Sequence, residues 1–123
     1  MRLAVLQFDP VTGACEANAQ RLVELVKKAA EQGAELCIAP ELALCGPNPM
    51  DFLLRHDFIQ SCQRALEYLT SELGGHADLP ALLLGAPLMN PVPHGKQLHN
   101  CAVLIDKGKQ SVVSRKVIIP CDN

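Results

Sequence analysis

The stretch Ala34-Glu35-Leu36-Cys37-Ile38-Ala39-Pro40-Glu41-Leu42 decides how this chain reads. An apolar run with a β-branched residue, closed by a proline that cannot extend a ladder, is a buried strand. Glu41 then falls where a strand's carboxyl end meets its loop, a place where α/β proteins put their chemistry. Upstream, from about Glu16, the period changes. Leu22, Leu25, Val26, Ala29 and Ala30 recur at three and four, predicting a helix with one stripe against a sheet, and Gly33 supplies its stop. Earlier still, Arg2 to Phe8 reads as a first strand ended by Asp9-Pro10. Strand, helix, strand is a β-α-β unit, which implies parallel pairing.

Downstream, Cys45-Gly46-Pro47-Asn48-Pro49-Met50-Asp51 is too rich in proline and glycine for regular structure and predicts a loop beside the strand end. Asp57 is expected to cap a helix running to about Leu73, with Ile59, Cys62, Leu66 and Leu69 on its inner side and Gly74-Gly75 ending it. Ala81 to Leu88 is apolar enough to be a strand buried on both faces. Leu98 to Ile105, a turn at Asp106-Lys107-Gly108-Lys109, and Gln110 to Val113 predict a hairpin, and a last strand segment ends in Ser114-Arg115-Lys116-Val117-Ile118-Ile119-Pro120. The fold class is therefore α/β with a mixed sheet, in one domain over residues 1–123.

Composition narrows the function. Hydrophobic residues at 49% support a packed core, and a net charge of -2 gives no electrostatic reason to expect a nucleic-acid or membrane-surface partner. Aromatics at 3% leave no platform for stacking bases. No apolar run approaches the ~18 residues of a membrane span, and Met1 to Pro10 looks like a strand, not a signal peptide. The six cysteines, Cys15, Cys37, Cys45, Cys62, Cys101 and Cys121, form no C-x-x-C pair. They read as buried thiols of a reducing, cytoplasmic compartment, not as a disulfide framework or zinc site. His56, His76, His94 and His99 show no ligand spacing, and no glycine-rich phosphate loop is present.

Two residues carry candidate chemistry. Most strand-end glutamates beside a proline are solvated or capping carboxylates. A catalytic Glu41 needs shielding that raises its pKa toward neutrality, so that it can take a proton from a nucleophile. Lys116 could equally be an ordinary charged strand end, or a fixed cation beside a developing oxyanion. Cys121 invites a nucleophile reading but has no following element to fix it, and reads as an ordinary thiol.

Taken as an ordered set, Ala4-Val5-Leu6-Gln7-Phe8-Asp9-Pro10, Asn18, Gly33 to Gly46, Leu84-Gly85-Ala86-Pro87, Asn100-Cys101-Ala102-Val103 and Arg115 to Pro120 resemble the carbon–nitrogen hydrolase (nitrilase) superfamily. Within it, Asn48 to Phe58 is similar to the glutaminase domain of glutamine-dependent NAD synthetases. Cys45-Gly46-Pro47-Asn48 stands where relatives commonly have Thr-Gly-Tyr-Pro, so the resemblance does not carry over the loop contact that tyrosine makes elsewhere. The resemblance implies a four-layer α-β-β-α sandwich and a glutamate–lysine–cysteine triad, with Glu41 as general base and Lys116 supporting the tetrahedral intermediate.

The family's nucleophile lies beyond Asn123, and Cys121 does not align with it. The chain is thus expected to be the N-terminal portion of such a domain, inactive alone, whose complete form hydrolyses a small amide, glutamine, to supply ammonia. The implied partners are the missing C-terminal half, a synthetase domain and further copies in a homo-oligomer. No cofactor is implied for this domain; ATP and magnesium belong to the synthetase domain. Two alternatives stand beside this reading: another amidase or carbamoyl hydrolase of the same superfamily, and a non-catalytic structural or assembly module. Half a sandwich should leave one sheet face uncovered, with Val5, Ile38, Leu83 and Val103 expected on it.

Overall fold

The computed structural model describes residues 1–11, 13–40, 43–45, 56–76, 78–89 and 98–117. Among them are five strands, β1 (Leu3–Val5), β2 (Leu36–Ile38), β3 (Ala81–Met89), β4 (Leu98–Asp106) and β5 (Lys109–Val117), and two helices, α1 (Cys15–Glu31) and α2 (His56–Gly74). The strands form one sheet in the order β1-β2-β3-β4-β5. β1, β2 and β3 pair in parallel, and β3, β4 and β5 are antiparallel. This is the mixed α/β architecture expected from the alternation of periods.

Local chemistry accounts for most element bounds. α1 buries Cys15, Asn18, Ala19, Leu22, Val23, Val26 and Ala29, the spacing of a single helical stripe. Leu25 and Ala30, expected at its centre, are half-buried on its flanks. Gly33 closes α1 with φ +83°, a backbone state that glycine enters without steric cost. Beside it the Arg2 guanidinium donates 3.1 Å to the Gln32 carbonyl, placing a cation at the helix's negative end. β1 is shorter than the expected Arg2–Phe8, because its partner β2 has only three residues before Pro40. Leu6 extends the pairing by one bond, its N–H donating to the Ile38 carbonyl at 2.8 Å.

α2 begins at His56, so Asp57 lies within the helix and does not cap it as expected. Its buried face carries the expected Ile59, Cys62, Leu66 and Leu69, joined by Phe58, Ala65 and Leu73. Buried Thr70 returns its hydroxyl to the Leu66 carbonyl at 2.7 Å and accepts from Gln110 Nε2 at 3.3 Å, which ties α2 to the hairpin. The hairpin turns on two residues, Lys107 (φ 52°) and Gly108 (φ 80°), both in the left-handed region that a type I′ turn requires. The hairpin's second strand and the last strand segment, expected separately, are one element: β5 runs unbroken from Lys109 to Val117, paired with β4 past a register shift at Ala102/Val103.

The two faces of the sheet differ. Leu6, Cys37, Leu82, Leu84, Ala86, Cys101, Val103 and Ile105 are buried in one core with the inner faces of α1 and α2. The other face holds a row paired strand to strand, Val5, Ile38, Leu83 and Leu104, of which none is buried and Val5 is 68% exposed. Val103, expected on this open face, is instead fully buried beneath the helices. Leu104 is the residue opposite Leu83, and a period of two sends its neighbour the other way. One helical layer on one sheet, with a far side that is apolar and carries no helix among the described residues, is consistent with an α-β-β-α sandwich.

Candidate functional site

The parallel strands β1 and β2 end at the same edge of the sheet. β5 runs parallel to β2 through two antiparallel steps, so Lys116 near its carboxyl end also lies toward that edge, with β3 and β4 between. The backbone of Lys116 pairs with Asn100. Glu41 and Cys121 lie outside the described residues. His56 opens α2 and His99 lies in β4, His94 lies outside the described residues, and His76 is exposed after α2. Among the described residues no group of three or more His, Cys, Asp or Glu could hold a metal ion.

The chain on both sides of Glu41 is held by backbone hydrogen bonds. Before it, the Ala39 N–H donates to the Leu83 carbonyl at 2.8 Å. After it, Ala43 donates to the Pro40 carbonyl at 3.1 Å, and Ala43, Leu44 and Cys45 are fully buried. The Gly13 N–H donates to the Cys45 carbonyl at 2.9 Å, joining the loop after β1 to the segment after β2.

Asn18 completes that junction. It sits in the first turn of α1, 3% exposed, on the stripe shared with Leu22 and Val26. Its Oδ1 accepts from the Val11 N–H at 2.9 Å, and its Nδ2 donates to the carbonyls of Val11 and Leu44, also at 2.9 Å each. Two carbonyls and one N–H around one amide admit a single orientation of the group, since a flip would set oxygen against oxygen. α1 thereby clamps both loops at the carboxyl edge of β1 and β2. In the sequence Asn18 appeared only as a motif residue; its clue was an amide four residues before Leu22 on an apolar stripe, where a polar side chain needs partners.

Two thiols near this edge, Cys37 and Cys45, are poor nucleophiles. Burial pushes Cys37 up from the ordinary thiol range, and burial with the neighbouring Cys15 pushes Cys45 up to about 12. Neither would be a thiolate near neutral pH.

Comparison with known proteins supplies the wider frame. Glutamine-dependent NAD(+) synthetases from Synechocystis sp. and Xylella fastidiosa are each 34% identical to this chain over 121 residues, covering 96% and 98% of it. The chain spans only 21% of the length of either relative. The structure of the Acinetobacter baumannii glutamine-dependent NAD+ synthetase superposes with a TM-score of 0.70 at 26% identity, over 92% of this chain and 20% of that one. An amidase from Nesterenkonia sp. shares the fold, with a TM-score of 0.67 at 23% identity over 94% of this chain and 41% of that one. The carbon–nitrogen hydrolase family model matches residues 2–121, and with that match over nearly its whole length the chain belongs to the carbon–nitrogen hydrolase family.

Proposed function

We propose that these residues are the N-terminal portion of a glutaminase domain that releases ammonia from the side-chain amide of glutamine for use in NAD synthesis. The observation that carries this is the likeness along almost the entire chain to relatives that share one name, glutamine-dependent NAD(+) synthetase. In this reading Glu41 is the general base and Lys116 the cation beside the oxyanion. The nucleophilic cysteine comes from a segment outside residues 1–123.

The chemistry follows from those roles. Glu41 takes the proton of the cysteine thiol as sulfur attacks the amide carbon, and the Lys116 ammonium stabilises the oxygen that becomes negative. The protonated Glu41 returns its proton to the departing nitrogen, which leaves as ammonia and a γ-glutamyl thioester remains. Glu41 then activates a water that cleaves the thioester, freeing glutamate and the thiol. The clamp made by Asn18 and Gly13 supports this assignment, because a general base is effective only when the backbone that bears it is fixed. ATP and magnesium would serve the amidation that consumes the ammonia. The described residues present no group of His, Cys, Asp or Glu that could hold a metal ion, and the sequence has no glycine-rich phosphate loop.

The test is ammonia release from glutamine by the complete domain, by its Glu41→Gln and Lys116→Met variants, and by residues 1–123 alone. Activity only in the unsubstituted complete domain is expected, with losses of at least about 1,000-fold in Glu41→Gln. Release by the 123-residue chain that vanishes in Cys121→Ser would overturn the reading. Turnover of short aliphatic amides but not glutamine would assign the site to a simple amidase.

A further inference from the structure

Two thiols that the proposed chemistry does not use meet between the helices. Cys15 opens α1 and Cys62 lies in the middle of α2; both are 1% exposed, and their sulfurs are 2.8 Å apart. They are thiols, not a disulfide. Sequence spacing gave no hint of this, since forty-seven positions separate them and only the packing of α1 on α2 brings them together.

We propose that Cys15 and Cys62 form a redox modification site, a dithiol that exchanges with low-molecular-weight disulfides of the glutathione class to become an intramolecular disulfide between α1 and α2. Three observations carry it. The sulfurs need to close by less than an ångström to reach the ~2.05 Å of a disulfide bond, so the oxidised form calls for little movement of either helix. Cys15 is the first residue of α1, where unpaired N–H groups and the helix dipole favour a thiolate. An open cleft lined by Gly13, Cys15, Glu16, Gln20 and Ser61 borders the first turn of α1, so local opening of that helix end is enough to bring the 1%-exposed Cys15 to a disulfide reagent.

The electrostatics agree with the geometry. The hydrogen bond from Cys62 lowers Cys15 against the opposing effect of burial, while the same contact and burial raise Cys62. Cys15 is therefore the attacking sulfur and Cys62 the resolving one.

The reaction balances in two exchanges. The Cys15 thiolate attacks one sulfur of the oxidised reagent, forming a mixed disulfide and expelling one reagent thiolate, which takes up the proton lost by Cys15. The Cys62 sulfur, giving up its proton, then attacks Cys15 Sγ and expels the second reagent thiol. The protein loses two electrons and two protons, and one reagent disulfide becomes two thiols.

The experiment incubates the full chain, natively folded, with oxidised glutathione. Free thiols are then blocked with N-ethylmaleimide, and the unreduced digest is mapped by mass spectrometry. A Cys15–Cys62 cross-linked peptide that accumulates as the major oxidised species and disappears on treatment with dithiothreitol is expected. In urea the same treatment should scatter oxidation over the other cysteines. Cys62→Ala should convert the product to a stable glutathione adduct on Cys15. Because the decisive measurement is on the unsubstituted chain, a variant that fails to fold does not blunt it. A persistent adduct on Cys15 in the unsubstituted protein, a Cys15–Cys45 linkage, or both thiols fully blocked by maleimide after incubation would each overturn the proposal.

Discussion

Replacing Asn18 by alanine removes three hydrogen bonds of 2.9 Å at once, and their consequences are unequal. Val11 is 62% exposed, so its N–H and carbonyl can turn to water and lose a few tenths of a kcal/mol each. Leu44 is fully buried, and its carbonyl would lose this donor in a place water does not reach, at about 1–3 kcal/mol. The expected loss of stability is therefore about 2–3 kcal/mol. Asn18→Asp should lose more, because it keeps the acceptor facing Val11 N–H but sets a carboxylate against two carbonyl oxygens. Urea unfolding at constant m measures it, a midpoint lowered by about 1–2 M being expected for the alanine variant. Gln20→Ala on the exposed side of α1 is the control, expected within about 0.5 kcal/mol of the parent. An Asn18→Ala variant no less stable than that control would refute the clamp.

Two further outcomes follow from packing and burial. A Cβ on Gly74 would stand 2.5 Å from the Gly108 Cα, so Gly74→Ala should cost about 1–3 kcal/mol, whereas Gly75→Ala, whose nearest neighbour is 3.7 Å away, should be near neutral; equal melting temperatures for the two would contradict the contact between α2 and the hairpin turn. Cys45, raised from 9.0 to about 12 in the folded chain, binds its proton longer there than when unfolded. Stability should thus be intact below pH 9 and fall as pH rises toward 12, by at most about 1.4 kcal/mol per pH unit from this group, and a Cys45→Ala variant whose pH profile matches the parent's would remove the cause.

The strands and helices were legible because each wears its period. Leu22, Val26 and Ala29 announce α1, and Ile59, Cys62, Leu66 and Leu69 announce α2, since burial on one side of a helix leaves that spacing behind. Boundaries were less legible: β1 stops where β2 stops, a fact about its partner that no property of residues 6–8 encodes. The faces of β4 were misjudged by one residue because Val103 and Leu104 are both apolar, and alternation cannot choose between them without the register to β3. For the candidate site, the sequence pointed to Glu41 and Lys116 by motif. The Asn18 clamp and the Cys15–Cys62 contact depend on residues distant in sequence, so local reading could not assemble them.

The two-residue turn at Lys107-Gly108 bears on the order in which the sheet is built. β4 and β5 are adjacent in the chain, and a hairpin of this type closes in ~1–10 μs. β1 and β2 meet only after Leu3 finds Leu36, thirty-three residues on, and β2 and β3 only after Leu36 finds Ala81, forty-five residues on. Loop-closure entropy therefore favours residues 81–117 as the early meander and leaves the three-residue strands β1 and β2 to join it later and to fray first. Pulse-labelling hydrogen exchange in which Val5 is protected before Val103 would reverse that order. The edge of the sheet that carries Asp9 and the Asn18 clamp is then assembled last, so the proposed catalytic end of the domain is the slowest part of it to mature.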